Sequence, residues 1–149
     1  MRKLVVPNAF FEEAAEALRE GKSVRLYVDG QSMYPFIRGG EDEIEVVPYD
    51  GVTPPEPWCC PFYQWGGDYM IHRFIGMNGD KWRMLGDGNL YRIEEVPQRE
   101  IIGLLRTIYH TDGTEQDCRD PRWLRRAQWW YWLRSIRRFL IPLFRLLRI

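Results

Sequence analysis

The chain has 149 residues, 45% hydrophobic and 28% charged, with 21 basic and 21 acidic side chains. That length suits one domain able to bury a real core, and the composition excludes wholesale disorder, collagen-like repeats and a polytopic membrane protein. The neutral total hides an asymmetry: residues 121–149 hold eight arginines and no acid, so a body of net charge −8 carries a tail of +8.

The start, MRKLVVPNAFFEE, is broken by acids and a proline before any apolar run, so it is not read as a signal peptide. Asn8 is placed to cap a first helix, in which Phe10, Phe11, Ala14, Ala15 and Leu18 recur at helical spacing until Gly21 stops it. SVRLYVDG (23–30) and EIEVV (43–47) read as short strands, and a Pro-rich connection over 53–57 leads to WCCPFYQ (58–64). Gly66-Gly67-Asp68 is hairpin turn chemistry before a return strand, YMIHRFIG (69–76). Asn78-Gly79 marks a second hairpin into KWRMLGDG (81–88), and REIIGLLRTIY (99–109) is a long apolar strand. The pattern predicts a mostly β domain over 1–120, a small coiled antiparallel sheet or barrel, with a boundary near Asp120-Pro121. Cys59, Cys60 and Cys118 form no CxxC pair, and two histidines are too few for a structural zinc site. No metal or cofactor is expected, and an odd number of thiols fits a reducing compartment.

Three residue types for acyl transfer occur beside turns or on strands: Ser32 after Asp29-Gly30-Gln31, His72 within 69–76, and Asp87 in Leu85-Gly86-Asp87-Gly88-Asn89. Serine needs a base to become a nucleophile near neutral pH, histidine titrates closest to that range, and a carboxylate can orient the imidazole. Taken singly, each residue also has an ordinary structural explanation as a turn or strand residue.

Taken together, the segments resemble the signal peptidase/LexA-type serine peptidase superfamily. Gly30-Gln31-Ser32-Met33-Tyr34-Pro35-Phe36-Ile37 resembles the nucleophile box, in which serine precedes Met-x-Pro. Met70-Ile71-His72-Arg73-Phe74-Ile75-Gly76-Met77-Asn78-Gly79-Asp80 resembles the second box, with His72 where bacterial signal peptidases carry lysine, the pattern of the endoplasmic-reticulum and archaeal enzymes. Leu85-Gly86-Asp87-Gly88-Asn89 resembles the later Gly-Asp-Asn box. The resemblance spans about 23–109. It implies a signal-peptidase fold with Ser32 as nucleophile, His72 as general base and Asp87 as its orienting acid. The Ser32 backbone N–H would be an oxyanion donor, and Gln31, Met33 and Pro35 would belong to the oxyanion and substrate-binding surface. Lys81 and Asp80 are rivals for base and acid. Gly30 stands where bacterial relatives often place a hydroxyl donor. The family's transmembrane anchor is not expected in this chain, and the missing Ala-Gly or Cys-Gly pair argues against a self-cleaving repressor.

PRWLRRAQWWYWLRSIRRFLIPLFRLLRI (121–149) reads as a basic amphipathic helix kinked at Pro142. At helical period, Arg122, Arg126, Arg134, Arg137, Arg138, Arg145 and Arg148 share one side. Leu124, Ile136, Leu140, Leu143 and Leu147 lie opposite, flanked by Trp129 and Trp132. No charge-free run nears the about 18 residues of a spanning helix. Such a face either lies in an anionic membrane interface or packs on the acidic body, and nucleic-acid binding is disfavoured by the body's charge. The expected function is cleavage of an extended peptide or leader at the cytoplasmic face of a membrane. The alternatives are a non-catalytic peptide-binding module on the same fold and a membrane-surface adaptor.

Overall fold

The computed structural model describes residues 8–89 and 91–148. Helix α1 (Asn8–Arg19) buries Ala14, Ala15 and Leu18 on one face and ends where Gly21 takes a positive φ of 85°. The side chains of Asn8, expected as a cap, and of Phe10 lie outside the described residues.

The fold is mostly β, a curled antiparallel half-barrel preceded and followed by helix. Its larger sheet runs β1 (Val24–Tyr27), β2 (Glu43–Pro48), β8 (Ile101–Tyr109), β3 (Pro61–Trp65) and β4 (Asp68–Ile71), with β9 (Glu115–Asp117) pairing the far half of β8. β8 is long enough to serve both neighbours: Gly103–Tyr109 pairs with β2, while Ile101–Leu104 pairs with β3. A smaller sheet holds β5 (Arg73–Asn78), β6 (Lys81–Leu85) and β7 (Ile93–Pro97). Strands β7 and β9 were not anticipated, being short and rich in charge. The expected single strand 69–76 is two strands in different sheets, β4 and β5, and His72 alone lies between them.

Alternation explains the core. Ile44 and Val46 of β2 and Ile108 of β8 point inward beneath α1, where Phe62 and Trp123 complete the main cluster. Tyr63, Phe74, Trp82, Met84, Val96 and Ile101 fill a second cluster between the two sheets.

Beyond β9, Asp120 caps α2 (Pro121–Trp132), its side chain accepting from the Arg122 N–H at 2.9 Å. The single helix expected for this segment is instead two helices. A 3₁₀ turn over Arg134–Ile136 separates α2 from α3 (Arg137–Leu147), and Pro142 sits within α3. The turn falls where it swings Arg137 inward, to 1% exposure, instead of leaving it on a solvent face. Trp123, Ala127, Trp130 and Ile141 are buried with it, so one face of the segment packs on the body. Among the described residues no helix is long and apolar enough to cross a membrane.

Ile108 is fully buried at the meeting of β8 and the helix layer. Ile108→Ala is therefore expected to lower unfolding stability by about 2–5 kcal/mol. The same truncation at Val52, 76% exposed, should change it by less than about 0.5 kcal/mol. Urea unfolding of both variants checks this.

Candidate active site

His72 occupies the corner where the chain leaves the larger sheet for the smaller one. Its ring is buried, at 6% exposure. Nδ1 lies 2.6 Å from Glu94 Oε1, and a carboxylate there selects the tautomer in which Nδ1–H donates. The Tyr63 hydroxyl donates to the same oxygen at 2.7 Å and lies 3.1 Å from Nδ1. Burial, then the Glu94 charge, raises the Tyr63 pKa, so the phenol stays a neutral donor. Glu94 is fully buried, with Arg92 Nε 3.7 Å from its second oxygen. The fixed nitrogen leaves Nε2 as the one with which the imidazole can act.

This arrangement corrects one expectation. Asp87 does not orient His72; both its oxygens are taken by Arg73, whose Nη2 donates to Oδ2 at 2.6 Å and Nε to Oδ1 at 3.1 Å. Successive residues of an extended chain point to opposite sides. His72 and Arg73 are such neighbours, so they serve different acids. Burial alone would lower the Arg73 pKa, but the Asp87 charge and hydrogen bonds outweigh it and hold it raised. Nη1 donates to the Trp58 carbonyl at 2.8 Å, and the guanidinium carbon lies 4.4 Å from the Trp123 ring centre and 4.9 Å from that of Phe36.

Asp87 still matters to the serine loop through its backbone. The Gly88 N–H donates to the Ser32 carbonyl at 2.8 Å. A Cβ at Gly86 would fall 2.5 Å from that oxygen, and one at Gly88 would fall 2.3 Å from the Gln31 carbonyl. Glycines let this turn approach the Ser32 loop so closely. Trp130 Nε1–H donates to the Asp87 carbonyl at 2.7 Å. Arg137 Nη1 reaches the Asn89 carbonyl at 3.0 Å and the Gly86 carbonyl at 3.4 Å. Its Nη2 reaches the Trp130 carbonyl at 3.3 Å.

Ser32 and His72 line one cavity of about 400 Å³. Val28, Asp29 and Gly30 form one wall, Tyr69, Met70 and Ile71 of β4 another, and Phe11, Met33 and Ile37 the apolar floor. Among the described residues no hydrogen bond joins Ser32 to His72. Of the flanking residues expected at the substrate surface, only Met33 lines this cavity. Gln31 is exposed, donates to the Gly39 carbonyl at 3.1 Å and faces a second pocket with Arg38, Arg145 and Arg148. Pro35 lines a third, beside Asp42 and His110. The rivals are displaced too. Lys81 and Asp80 are exposed at the tip of the β5–β6 hairpin, whose pairing of Arg73 with Leu85 and Asn78 with Lys81 puts that tip roughly 16 Å along the strand from the His72 end.

Glu94 escaped the sequence reading. Its signal was parity: in Ile93-Glu94-Glu95-Val96 it shares the inward phase of buried Val96, a place where an acid needs a partner. The thiols are held in their unreactive protonated form. Burial pushes Cys59 and Cys118 up to about 12 and Cys60 well above its usual value. Among the described residues no group of three or more His, Cys, Asp or Glu could hold a metal ion.

Comparison of the chain with protein-family models and with curated proteins finds no match in either.

The role of Asp87 is open to experiment. Asp87→Asn leaves the Arg73 charge buried without its counter-ion and should cost about 3–5 kcal/mol in urea unfolding. Lys81→Met at the exposed hairpin tip should change stability by less than about 0.5 kcal/mol. A native-like midpoint for Asp87→Asn would refute the structural role given to this pair.

Proposed function

We propose that the protein is a serine endopeptidase of the signal peptidase/LexA type, with Ser32 as nucleophile and His72 as general base. The observation that carries this reading is the one cavity lined by Ser32 and His72 while buried Glu94 holds the far nitrogen of the imidazole. The curled sheet and the three ordered boxes support the same family reading. Glu94, in place of Asp87, is then the positioning residue that keeps the ring in its Nδ1–H form.

The chemistry balances with these groups. Ser32 Oγ attacks the scissile carbonyl carbon as His72 Nε2 takes the hydroxyl proton. The tetrahedral oxyanion collapses, the C–N bond breaks, and Nε2 returns the proton to the departing amine. Water then repeats the attack on the Ser32 ester, again through Nε2, releasing the acid and restoring the serine. With Gly30 offering no hydroxyl, the oxyanion is left to main-chain donors such as the Ser32 N–H.

The cavity walls suggest how substrate lies. β1 and β4 are the two ends of the larger sheet's path, and both Val28–Gly30, which continues β1, and β4 border the cavity. β4 pairs with β3 through Phe62–Trp65 and ends the sheet's path, and its Tyr69, Met70 and Ile71 border the cavity. An extended peptide can add to β4 through main-chain hydrogen bonds, its apolar side chains over Met33, Ile37 and Phe11. A leader segment has this form.

Incubation of the full chain with extended leader-like peptides, read by mass spectrometry, tests the proposal. Ser32→Ala and His72→Ala are each expected to lower kcat by about 10³-fold or more. Glu94→Gln should lower kcat by about 10²-fold with KM little changed, and Glu94→Asp should recover part of it. A fluorophosphonate should label Ser32. Equal cleavage by Ser32→Ala and the parent overturns the assignment. Peptide binding without labelling or cleavage assigns the cavity to a binding module instead.

A further inference from the structure

We infer that the solvent face of α2 and α3 is a docking surface for an anionic lipid bilayer. This goes beyond the peptidase reading and does not depend on it. The segment has two apolar faces. One is used internally: Trp123, Ala127, Trp130 and Ile141 are buried against the body, where Trp130 stacks on Phe144 with ring centres 5.7 Å apart. The other is spare. Trp129, Trp132, Leu133 and Ile136, then Phe139, Leu143, Leu146 and Leu147, recur within four residues of one another and are all exposed, Phe139 at 64% and Leu146 at 79%. Eight large apolar side chains exposed within 19 residues, with the Trp129 and Trp132 rings in contact at 5.4 Å, exceed the scattered apolar exposure of an ordinary soluble surface and mark an interaction site.

The charge around the strip selects its occupant. Arg122, Arg125, Arg126, Arg134, Arg138, Arg145 and Arg148 are all exposed, and no acid occurs from 121 to 149. A two-fold contact with a second copy would set this cationic fringe against itself. Lipid phosphates complement it, while tryptophan rings and arginine stems suit the boundary between headgroup and acyl chain. Neither helix can span a bilayer, so the segment would lie in the interface plane.

The intact chain is required for a test, because deleting 121–149 would strip Trp123 and Trp130 from the core. Flotation with vesicles of phosphatidylcholine and phosphatidylglycerol is compared with flotation on pure phosphatidylcholine. The parent should partition at least about tenfold more strongly onto the anionic vesicles, with a blue shift of tryptophan emission. The combined variant Phe139→Ser, Leu143→Ser, Leu146→Ser should lose about tenfold or more. Arg134→Gln and Arg138→Gln should each lose about fivefold on anionic vesicles alone. All are surface positions, so circular dichroism and Tm should stay those of the parent. Ser32→Ala should bind as the parent does, which separates this result from the fate of the peptidase reading. No preference for anionic vesicles, or equal binding by the apolar-face variant, overturns the inference. So does a concentration-dependent dimer dissolved by the same substitutions, which would give the strip to a second copy.

Discussion

A guanidinium that is 1% exposed at the seam between two sheets must be paired, because an uncompensated buried charge costs several kcal/mol. Arg73 meets that demand with groups from separate parts of the chain: the Asp87 carboxylate after β6, the Trp58 carbonyl before β3, and the rings of Phe36 and Trp123. Phe36 belongs to the loop that carries Ser32, and Trp123 to α2. A lysine could not do the same, since a single ammonium has neither the planar fork for a two-oxygen carboxylate contact nor a flat face for aromatic rings. The requirement to satisfy one cation therefore gathers the small sheet, the serine loop and the C-terminal helices at one place.

The residue before it inherits this fixity. With Arg73 held toward Asp87, the extended geometry sends His72 to the other side, where the inward phase of β7 supplies Glu94. Two buried acid–base pairs thus stand back to back on adjacent residues, joined through a corner with no spare residue between β4 and β5. A slip of one residue would exchange the partners and present the imidazole to the wrong acid. The Tyr63 hydroxyl tightens the arrangement by donating to the same Glu94 oxygen, so the ring has little room to rotate.

What the sequence displayed and what it hid divide along physical lines. Local signals were legible: the 3.6-residue recurrence of α1, the turns at Gly66-Gly67 and Asn78-Gly79, the apolar run of β8 and the Asp120-Pro121 helix start. Alternation also announced a curled antiparallel sheet. Long-range pairing was not legible. Asp87 and Glu94 sit 15 and 22 residues beyond His72, and turn chemistry around Asp87 looked the same whether its carboxylate met an imidazole or a guanidinium. The break of strand 69–76 at His72 was hidden because both halves have strand composition and only tertiary pairing distinguishes their sheets. The C-terminal segment misled for a related reason. A projection at constant helical period placed Arg137 with the other arginines, whereas the 3₁₀ turn over Arg134–Ile136 rotates it into the body.

That rotation makes α2 and α3 part of the domain, although composition marks them as an appendage. Among the described residues Arg137 makes no ion pair; burial pulls its pKa down to about 10 against the opposing Asp87 charge, and it stays charged while the carbonyls of Gly86, Asn89 and Trp130 accept from its fork. Those carbonyls belong to the turn whose Gly88 N–H holds Ser32 and to the helix whose Trp130 holds Asp87. Without the helices, the Asp87 carbonyl would lose its indole donor and Tyr34 and Phe36 their packing partners beside the serine. Each buried polar group left without a partner costs about 1–3 kcal/mol. The geometry around Ser32 is therefore set from both directions along the chain, by the glycine turn that reaches it through space and by the basic helices that brace that turn from behind.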